Sequence, residues 1–421
     1  MTTATEQSNT SSQQYLEASK QCEEALVKHL QYCRENDWAG YDPYDALNSG
    51  LFKSLPFLNY RIPRLMLTQL LKRSPVNFRA FMFMPKTQNP KALALFLSAF
   101  LKLSTKQLPD QDSLVEYMIE RLIELRSPGE KYWTWGYSFP WQGRGVLVPR
   151  GTANLVCNTF VAGGLLDAYE KRQDTRCLDM AVSAADYILN ELYWEEGNEC
   201  GFCYPLPKIR SKVHNANFLA AALFCRIYRL TGEKKYLGPA LKAARYSAAK
   251  QEADGSWFYG EHPSQQFIDN FHTGYDLSAL QSISRDLETT EFDERIRRGF
   301  EFYRSTFFLK DGSVKYFHDR IYPLDTHCIS QAIMTLVEFK DLDPGNIPLA
   351  CSVFRWCMDH MWDKRGFFYY RKLRFCTIRT SYMRWTQVWM FLALATLLRE
   401  SGIGAQDANP GVLSPVAVER R

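Results

Sequence analysis

The sequence predicts an all-α fold in which six helical hairpins close into a ring, an (α/α)6 toroid. Its main sign is a glycine followed by alternating aromatic residues, which recurs at Gly201, Gly255, Gly312 and Gly366, spaced 54, 57 and 54 residues apart. One helical pattern precedes each motif and a second, more apolar pattern follows it. Of the 421 residues, 46% are hydrophobic and 14% aromatic. The chain can therefore bury the core of one large array of stacked units.

The two helices of each unit differ in polarity. The first is amphipathic, as in "RIRRGFEFYRSTFF", whereas the second is apolar nearly all round, as in "HCISQAIMTLVEF". A helix that is apolar on every side is buried on every side, so the second helices should line the inside of the ring. The helix predicted over roughly Gln14 to Glu35 should be the last outer helix and close the ring. We expect the six inner helices to begin near Pro90, Thr152, Asn215, Asn270, Asp325 and Thr380.

We expect one domain over residues 13–400, with disordered segments at 1–12 and 401–421. The start of the chain, "MTTATEQSNTSSQQ", lacks the pattern of a secretory signal, and no apolar run reaches the ~18 residues of a membrane span. Most of the eleven cysteines lie in apolar helical patterns. This placement favours reduced thiols and a cytoplasmic location.

Charge and spacing narrow the ligand classes. The net charge of +5 is spread without a dense Lys/Arg block, so nucleic acid is disfavoured as a partner. No second pair completes the Cys200 and Cys203 motif, and no His-x-x-x-His cluster occurs. We therefore expect neither a metal nor a cofactor. Aromatic enrichment with modest charge suits sugars, which are flat ligands with apolar C–H faces and polar hydroxyl groups.

The loops that enter the inner helices should converge on one end of the ring. The helix N-termini point their unpaired N–H groups there, which favours anionic or hydroxyl ligands. Tryptophan and tyrosine faces stack on sugars, and polar side chains bind hydroxyls and carboxylates, so this end is a candidate carbohydrate site. The predicted substrate-binding residues are Tyr41, Trp135, Trp141, Gln142, Arg144, Arg150, Asn154, Asn217, Trp257, Tyr259, Asn270, Asp325, His327, Tyr382, Arg384 and Trp385.

Two kinds of chemistry fit these residues, and the sequence leaves both open. Glycoside hydrolysis would need two carboxylates about 5–5.5 Å apart for retention or about 6.5–9.5 Å apart for inversion. The candidate carboxylates are Asp42, Asp45, Glu261, Asp269 and Asp325.

Uronate epimerisation or elimination would instead need a base for the C5 proton and a group that neutralises the carboxylate. His272 or Tyr275 could be the base, and Arg144, Arg150 or Asn270 could neutralise the charge. The catalytic candidates are thus His272, Tyr275, Asp269, Asp42, Asp45 and Glu261.

Several of these residues also have a structural interpretation. Asn154, Asn217, Asp269 and Asp325 occupy helix starts, where capping alone explains a short polar side chain. Trp257 and Tyr259 could simply pack between neighbouring hairpins.

The stretches "YDPYDALNSGLF", "GYSFPWQGR", "PRGTANLVCNTFVAGGLLDAYE" and "FIDNFHTGYDLSAL" resemble a bacterial and archaeal family found with exopolysaccharide and capsule biosynthesis genes. That family is often mislabelled as an aminolevulinate dehydratase and is assigned to the six-hairpin glycosidase-like toroids. The resemblance covers about residues 38 to 400. It implies the toroid and a role in polysaccharide metabolism. The substrate would be an oligo- or polysaccharide or a lipid-linked sugar precursor, with other polysaccharide-assembly proteins as partners.

A shorter stretch, "DNFHTGY", is similar to the start of an inner helix in the helical domain of glucuronyl C5-epimerases, which implies a role for His272 and Tyr275. Two other classes stay open. A non-catalytic glycan-binding or assembly protein would keep the aromatic mouth without a productive acid–base pair. A terpene cyclase or prenyltransferase relative fits less well, because no Asp-Asp-x-x-Asp run occurs and "DTHC" (Asp325 to Cys328) is isolated.

Overall fold

The computed structural model describes residues 2–143 and 145–400, with side chains from residue 17 onward. The α-helices are α1 (Thr2–Glu35), α2 (Gly50–Lys53), α3 (Arg61–Arg73), α4 (Pro90–Phe100), α5 (Gln111–Glu124), α6 (Leu155–Arg172), α7 (Thr175–Tyr187), α8 (His214–Thr231), α9 (Leu237–Ala248), α10 (Asn270–Leu287), α11 (Asp293–Phe307), α12 (Thr326–Glu338), α13 (Asn346–Met361) and α14 (Val388–Glu400). Short 3-10 turns cover Asp45–Asn48, Pro56–Leu58, Lys234–Tyr236, Pro263–Gln265 and Lys340–Leu342, and π-helical turns cover Ile188–Leu192 and Met383–Gln387.

The strands are short and lie between the helices. They are β1 (Trp141–Gln142), β2 (Leu147–Val148), β3 (Tyr193–Glu196), β4 (Glu199–Phe202), β5 (Leu324–Asp325), β6 (Trp362–Asp363), β7 (Phe367–Phe368), β8 (Arg371–Lys372) and β9 (Thr377–Ile378). All pairings are antiparallel, in the pairs β1–β2, β3–β4 and β6–β7 and a three-stranded sheet in the order β5–β8–β9.

The helices form the predicted (α/α)6 toroid. Its inner ring runs α4, α6, α8, α10, α12 and α14, and α14 packs back against α4. Each inner helix carries one outer helix: α5 on α4, α7 on α6, α9 on α8, α11 on α10, α13 on α12, and α1 on α14. The inner helices begin close to the predicted positions, the last one after the π-helical turn Met383–Gln387. The predicted all-α toroid is thus confirmed.

Burial explains why the inner helices are apolar all round. In α4, Ala92, Leu93, Phe96 and Leu97 are fully buried although they point in different directions. Each buried side chain of leucine or phenylalanine size stabilises the fold by about 1.5–3 kcal/mol relative to exposure.

At three of its four positions, the recurring glycine is required by the same backbone conformation. Gly255, Gly312 and Gly366 have φ angles of +93°, +88° and +92°, a region that side chains rarely adopt. A Cβ on Gly255 would lie 2.3 Å from the carbonyl oxygen of Arg298 in α11. The motif therefore needs glycine because its backbone presses against the next outer helix.

The last motif glycine shows how the ring closes. A Cβ on Gly366 would lie 2.5 Å from the carbonyl oxygen of Lys28 in α1. His29 of the same helix lies with Nδ1 2.8 Å from the Gly366 oxygen and Nε2 2.9 Å from the Gln387 oxygen. α1 thus occupies the position that α11 holds against Gly255, which is the predicted role of the N-terminal helix.

The predicted ends of the domain differ in how far the structure describes them. α1 begins at Thr2 rather than near Gln14. The disordered segment 1–12 and the single domain 13–400 remain predictions, and the tail 401–421 lies outside the described residues. Within the described part of the chain, no helix is long and apolar enough to cross a membrane.

Candidate active site

The N-terminal ends of the inner helices surround a cavity of about 590 Å³. We call it the mouth cavity. Its walls are mainly aromatic and include Tyr44, Tyr137, Phe139, Trp141 and Tyr259. Trp141 also lines the cavity, and its indole N–H has no hydrogen-bond acceptor among the described residues. Flat aromatic faces with single polar atoms between them are suited to bind a sugar ring.

His272 lies in the cavity wall and is oriented by Asp269. Asp269 caps α10: its Oδ1 accepts the backbone N–H of His272 at 3.0 Å, and its Oδ2 lies 2.9 Å from Nδ1 of the same residue. A carboxylate only accepts hydrogen bonds, so Nδ1 carries the proton and Nε2 has the lone pair of a base. The His272 side chain is 20% exposed and that of Asp269 only 1%. The imidazole is therefore reachable while its partner is not.

Packing fixes the same imidazole from both sides. The ring centroid of Phe271 lies 4.0 Å from that of His272, and the centroid of Tyr259 lies 4.5 Å from it. A base held this way loses little conformational entropy when a substrate binds.

A second acid–base pair faces the cavity one turn further along α10. Nδ1 of His327 lies 3.1 Å from the carbonyl oxygen of Trp385, so it must donate, and Nε2 accepts the hydroxyl of Tyr275 at 2.6 Å. Burial, with Lys91 and Arg384 nearby, lowers the pKa of His327 well below its usual value. Burial also raises the pKa of Tyr275 well above its usual value. At neutral pH this pair is uncharged, with the hydroxyl proton on Tyr275.

Lys91 is a buried amine at the inner side of the cavity. Its Nζ lies 3.8 Å from the ring centroid of Phe160. No carboxylate of the described residues comes within ion-pair distance of it. Burial, followed by the charge of Arg384, lowers the pKa of Lys91 well below its usual value. An anionic ligand group would raise this pKa again and pair with the protonated amine.

Two arginines beside the cavity are paired with carboxylates. Arg384 binds Asp42 with two parallel bonds of 2.7 and 2.9 Å. Arg371 binds Asp325 at 2.7 and 2.6 Å. Asp325 also caps α12 and accepts the indole N–H of Trp385 at 3.1 Å. Both carboxylates therefore hold the walls in place rather than face the cavity.

Asp45 and Glu261 are also engaged. Asp45 accepts Nε of Arg79 at 2.9 Å in a fully buried pair, and burial raises the pKa of Asp45 to about 6. Glu261 lies in a separate, smaller depression, where its Oε1 accepts the hydroxyl of Tyr246 at 2.5 Å.

The predicted site residues fall into two groups. Eight of them line the mouth cavity: Trp141, Tyr259, Asp269, His272, Tyr275, His327, Arg384 and Trp385. The others lie in the walls or elsewhere, and those not yet placed are Tyr41, Trp135, Gln142, Arg150, Asn154, Asn217, Trp257, Asn270 and Tyr382. Arg144 lies outside the described residues.

Most of these remaining side chains have partners that explain them. Trp135 and Trp257 are buried, and their indole N–H groups donate to the carbonyl oxygens of Leu122 and Ser247. The other contacts are as follows: Asn154 caps α6, Asn217 binds Ser247, Asn270 accepts the hydroxyl of Tyr303, Gln142 accepts Arg64, and Tyr382 lies under Arg79. Tyr41 lines a neighbouring depression and Arg150 is exposed.

Sequence reasoning missed several cavity residues, and Lys91 is the most informative. It is the one charged residue in the mainly apolar stretch Pro90–Phe100. Such a charge at the start of a fully buried helix was the available signal. Tyr137 and Phe139 alternate with other residues in "GYSFPW", so both lie on one face of an extended segment. That alternation could have identified them.

No group of three or more His, Cys, Asp or Glu side chains is arranged to hold a metal ion within the described residues.

Comparison with solved structures defines the class of fold. A sugar epimerase from a ruminal bacterium matches with a TM-score of 0.56 and 11% identity over 75% of this chain and 88% of that one. An unsaturated glucuronyl hydrolase (UGL) variant with dGlcA-Glc-Rha-Glc matches with a TM-score of 0.58 and 14% identity over 92% and 96%. A D-mannose isomerase matches with a TM-score of 0.58 and 12% identity over 83% and 99%.

These structures share the six-hairpin glycosidase-like (α/α)6 fold, and at such identities the likeness shows the fold alone. No family model and no curated protein sequence matches the chain. The exopolysaccharide-associated family therefore stays a prediction.

Proposed function

We propose that this protein is a carbohydrate-active enzyme that moves a proton on a uronate sugar, by epimerisation at C5 or by elimination. One observation carries the proposal: His272, oriented by Asp269, shares a cavity with Lys91, a buried amine without a counter-ion. A uronate supplies both an acidic carbon for the base and an anion for the amine.

In this reaction the uronate carboxylate binds Lys91, and the sugar face stacks on the aromatic wall. Neutralising the carboxylate stabilises the enediolate that forms when Nε2 of His272 takes the C5 proton. In epimerisation, Tyr275 delivers its hydroxyl proton to the other face of C5. His272 then releases the proton it took from C5 to water, and the Tyr275 oxygen takes a proton from water. In elimination, the electron pair expels the group at C4, and Tyr275 protonates the leaving oxygen.

The geometry disfavours two-carboxylate hydrolysis. That route needs one carboxylic acid and one carboxylate on either side of the glycosidic bond. Asp42, Asp45 and Asp325 each bind an arginine, and Glu261 lies in another depression. Asp269 is the remaining predicted carboxylate at the cavity, and both of its oxygens form hydrogen bonds with His272.

We also propose that the enzyme acts on a sugar in polysaccharide biosynthesis and is located in the cytoplasm. The resemblance to the exopolysaccharide-associated family supports a place in polysaccharide biosynthesis, with a sugar chain or lipid-linked precursor as substrate. Fold neighbours that include sugar epimerases and a mannose isomerase support a sugar as substrate. Buried thiols at ten of the eleven cysteines support a reducing, cytoplasmic location.

The proposal is tested by incubating the protein with uronic-acid and neutral oligosaccharides in heavy water and measuring the product masses by mass spectrometry. Epimerisation adds one deuterium without cleavage, and elimination cleaves the chain without adding water. Both should be lost in His272→Ala and kept in the control His360→Ala, which changes a histidine on outer helix α13. Cleavage with addition of water would overturn the proposal in favour of hydrolysis. Binding without any product would favour a glycan-binding protein.

A further inference from the structure

The segment between α1 and α4 carries an unusual density of exposed apolar side chains. Fifteen large apolar side chains of the described residues are exposed, and ten of them lie between residues 51 and 83. Single exposed apolar residues are normal on proteins, but so dense a group within one segment indicates an interaction surface. We call these ten the apolar patch: Leu51, Phe57, Tyr60, Ile62, Met66, Leu70, Val76, Phe78, Phe81 and Phe83.

Helix α3 (Arg61–Arg73) is the centre of the patch. Its buried face, with Thr68 and Leu71, packs on the turn Asp45–Asn48 and on β1. Ile62, Met66 and Leu70 follow each other at intervals of four residues, which places them on one face. They are between 59% and 68% exposed. The helix is thus attached to the ring by one side and presents an apolar stripe on the other.

The charge of this region is entirely basic. Between Asp45 and Asp110 the sequence contains no acidic residue. Lys53, Arg61 and Arg73 are exposed, and no ion pair within the described residues engages them. The patch therefore combines exposed apolar groups with uncompensated positive charge, which is complementary to a surface that is apolar beneath and negative on top.

We propose that the apolar patch docks on the surface of a bilayer rich in anionic phospholipid. The apolar side chains of α3 and of the flanking loops would enter the boundary of the acyl chains, and the basic side chains would contact the phosphate groups. An amphipathic helix with this division of side chains lies in the plane of the interface. Each lysine or arginine near an anionic surface adds to the attraction.

The docked orientation would bring the mouth cavity to the membrane. α3 is joined to the cavity's rim: Nη1 of Arg64 donates to Gln142 at 3.2 Å, and Nζ of Lys72 donates to the hydroxyl of Tyr44 at 2.6 Å. Tyr44 lines the cavity. The inference does not depend on the proposed function, because it rests on the outer surface of α3 and its loops.

The test is co-sedimentation of the full chain with vesicles of pure phosphatidylcholine and with vesicles rich in phosphatidylglycerol. We expect binding to the anionic vesicles that is weakened by salt, because exposed charges are screened over about 10 Å at 0.1 M salt. The triple change Ile62→Ser, Met66→Ser and Leu70→Ser should weaken binding about tenfold or more. A matched control changes three exposed apolar residues elsewhere: Ile321→Ser, Leu342→Ser and Phe375→Ser.

The charged half of the surface is tested in the same assay. Changing Lys53, Arg61 and Arg73 to serine should abolish the preference for anionic vesicles. The same change at three exposed lysines elsewhere, Lys234, Lys310 and Lys364, should leave it intact.

Three outcomes would overturn the inference. They are absence of vesicle binding, equal binding to neutral and anionic vesicles, and binding that the Ile62, Met66 and Leu70 triple change leaves intact. Light scattering tests whether a second copy of the chain covers the patch instead. A dimer that does not bind vesicles, and that the same triple change converts to a monomer, would show that it does.

Discussion

The ring holds a cavity at each end, and the two differ in how their charged groups are paired. Lys91 and His272 line the mouth cavity, and a second cavity of about 670 Å³ lies at the C-terminal ends of the inner helices. Tyr275 lines both cavities. At the second cavity, Arg226 binds Asp167 and Glu170.

The direction of the inner helices explains part of this difference. Helix N-termini favour anions and C-termini favour cations, so only the mouth end is suited to a carboxylate ligand. At the mouth, a polar side chain such as His272 binds a protein partner through one atom and leaves another atom free for a ligand. At the other end, Arg226 and Arg285 bind carboxylates, and Lys102 is the exception, because no ion pair of the described residues engages it. The direction of the helices and the pairing of the arginines therefore favour the mouth as the ligand site.

The largest expected effect is on catalysis at the mouth. His272→Ala should lower turnover by about 10²–10⁴-fold, the usual contribution of general acid–base catalysis. The melting temperature should change little, because the side chain is partly exposed to the cavity. His360→Ala should change neither. A large loss of stability in His272→Ala would instead mean that the imidazole is a structural hydrogen-bonding group.

The next prediction compares ion pairs at the two ends by chemical denaturation. Asp42→Ala leaves Arg384 buried and unpaired, so the free energy of unfolding should fall by about 3–5 kcal/mol. Asp167→Ala removes one partner of Arg226 at the second cavity, where the pair is partly exposed and Glu170 remains. Its cost should be about 1 kcal/mol or less. Equal costs at both ends would contradict the difference in burial on which the comparison rests.

A third prediction concerns a histidine at the start of the inner helix that precedes α10. His214 begins α8 but is buried, with Nδ1 3.2 Å from Ser247 of outer helix α9, and burial lowers its pKa from 6.5 to about 4. The unfolded chain therefore takes up this proton at a higher pH than the folded protein. The contribution to stability is complete above pH 6.5 and falls as the pH drops towards 4.

The expected loss over that range is about 3 kcal/mol, from 1.36 kcal/mol per pKa unit. It is measured by comparing the pH dependence of unfolding in the wild-type protein and in His214→Gln, which should lack this component. Identical pH dependence in the two proteins would show that His214 titrates normally in the folded state.

The ring was predictable from the sequence because its cause is local and repeated. Gly255, Gly312 and Gly366 each follow an amphipathic helix and precede an apolar one, and each meets an outer helix in the same way. The repeat is visible in one sequence without knowledge of the contacts. The closing helix α1 could also be predicted, because no outer helix was predicted C-terminal to the last motif.

The site was predictable only in part, because the direction of each helix start depends on tertiary packing. The polar start of α10 was recognised, and His272, Tyr275 and Asp269 do meet in one cavity. Asp42 lies 342 residues from Arg384 in sequence, so their ion pair could not be foreseen from local pattern. The buried position of Lys91 likewise depends on α6 and α14 packing around α4.

The most direct measurement of the central claim compares two lysines by titration calorimetry with uronate oligosaccharides. Lys91 faces the mouth cavity and Lys102 lines the second cavity, and burial lowers the pKa of both. If the mouth binds a carboxylate at Lys91, Lys91→Met should weaken binding of the uronate about tenfold, while Lys102→Met should leave it unchanged. A neutral oligosaccharide should bind both variants alike. Loss of uronate binding in Lys102→Met, or none in Lys91→Met, would contradict the assignment of the ligand site to the mouth.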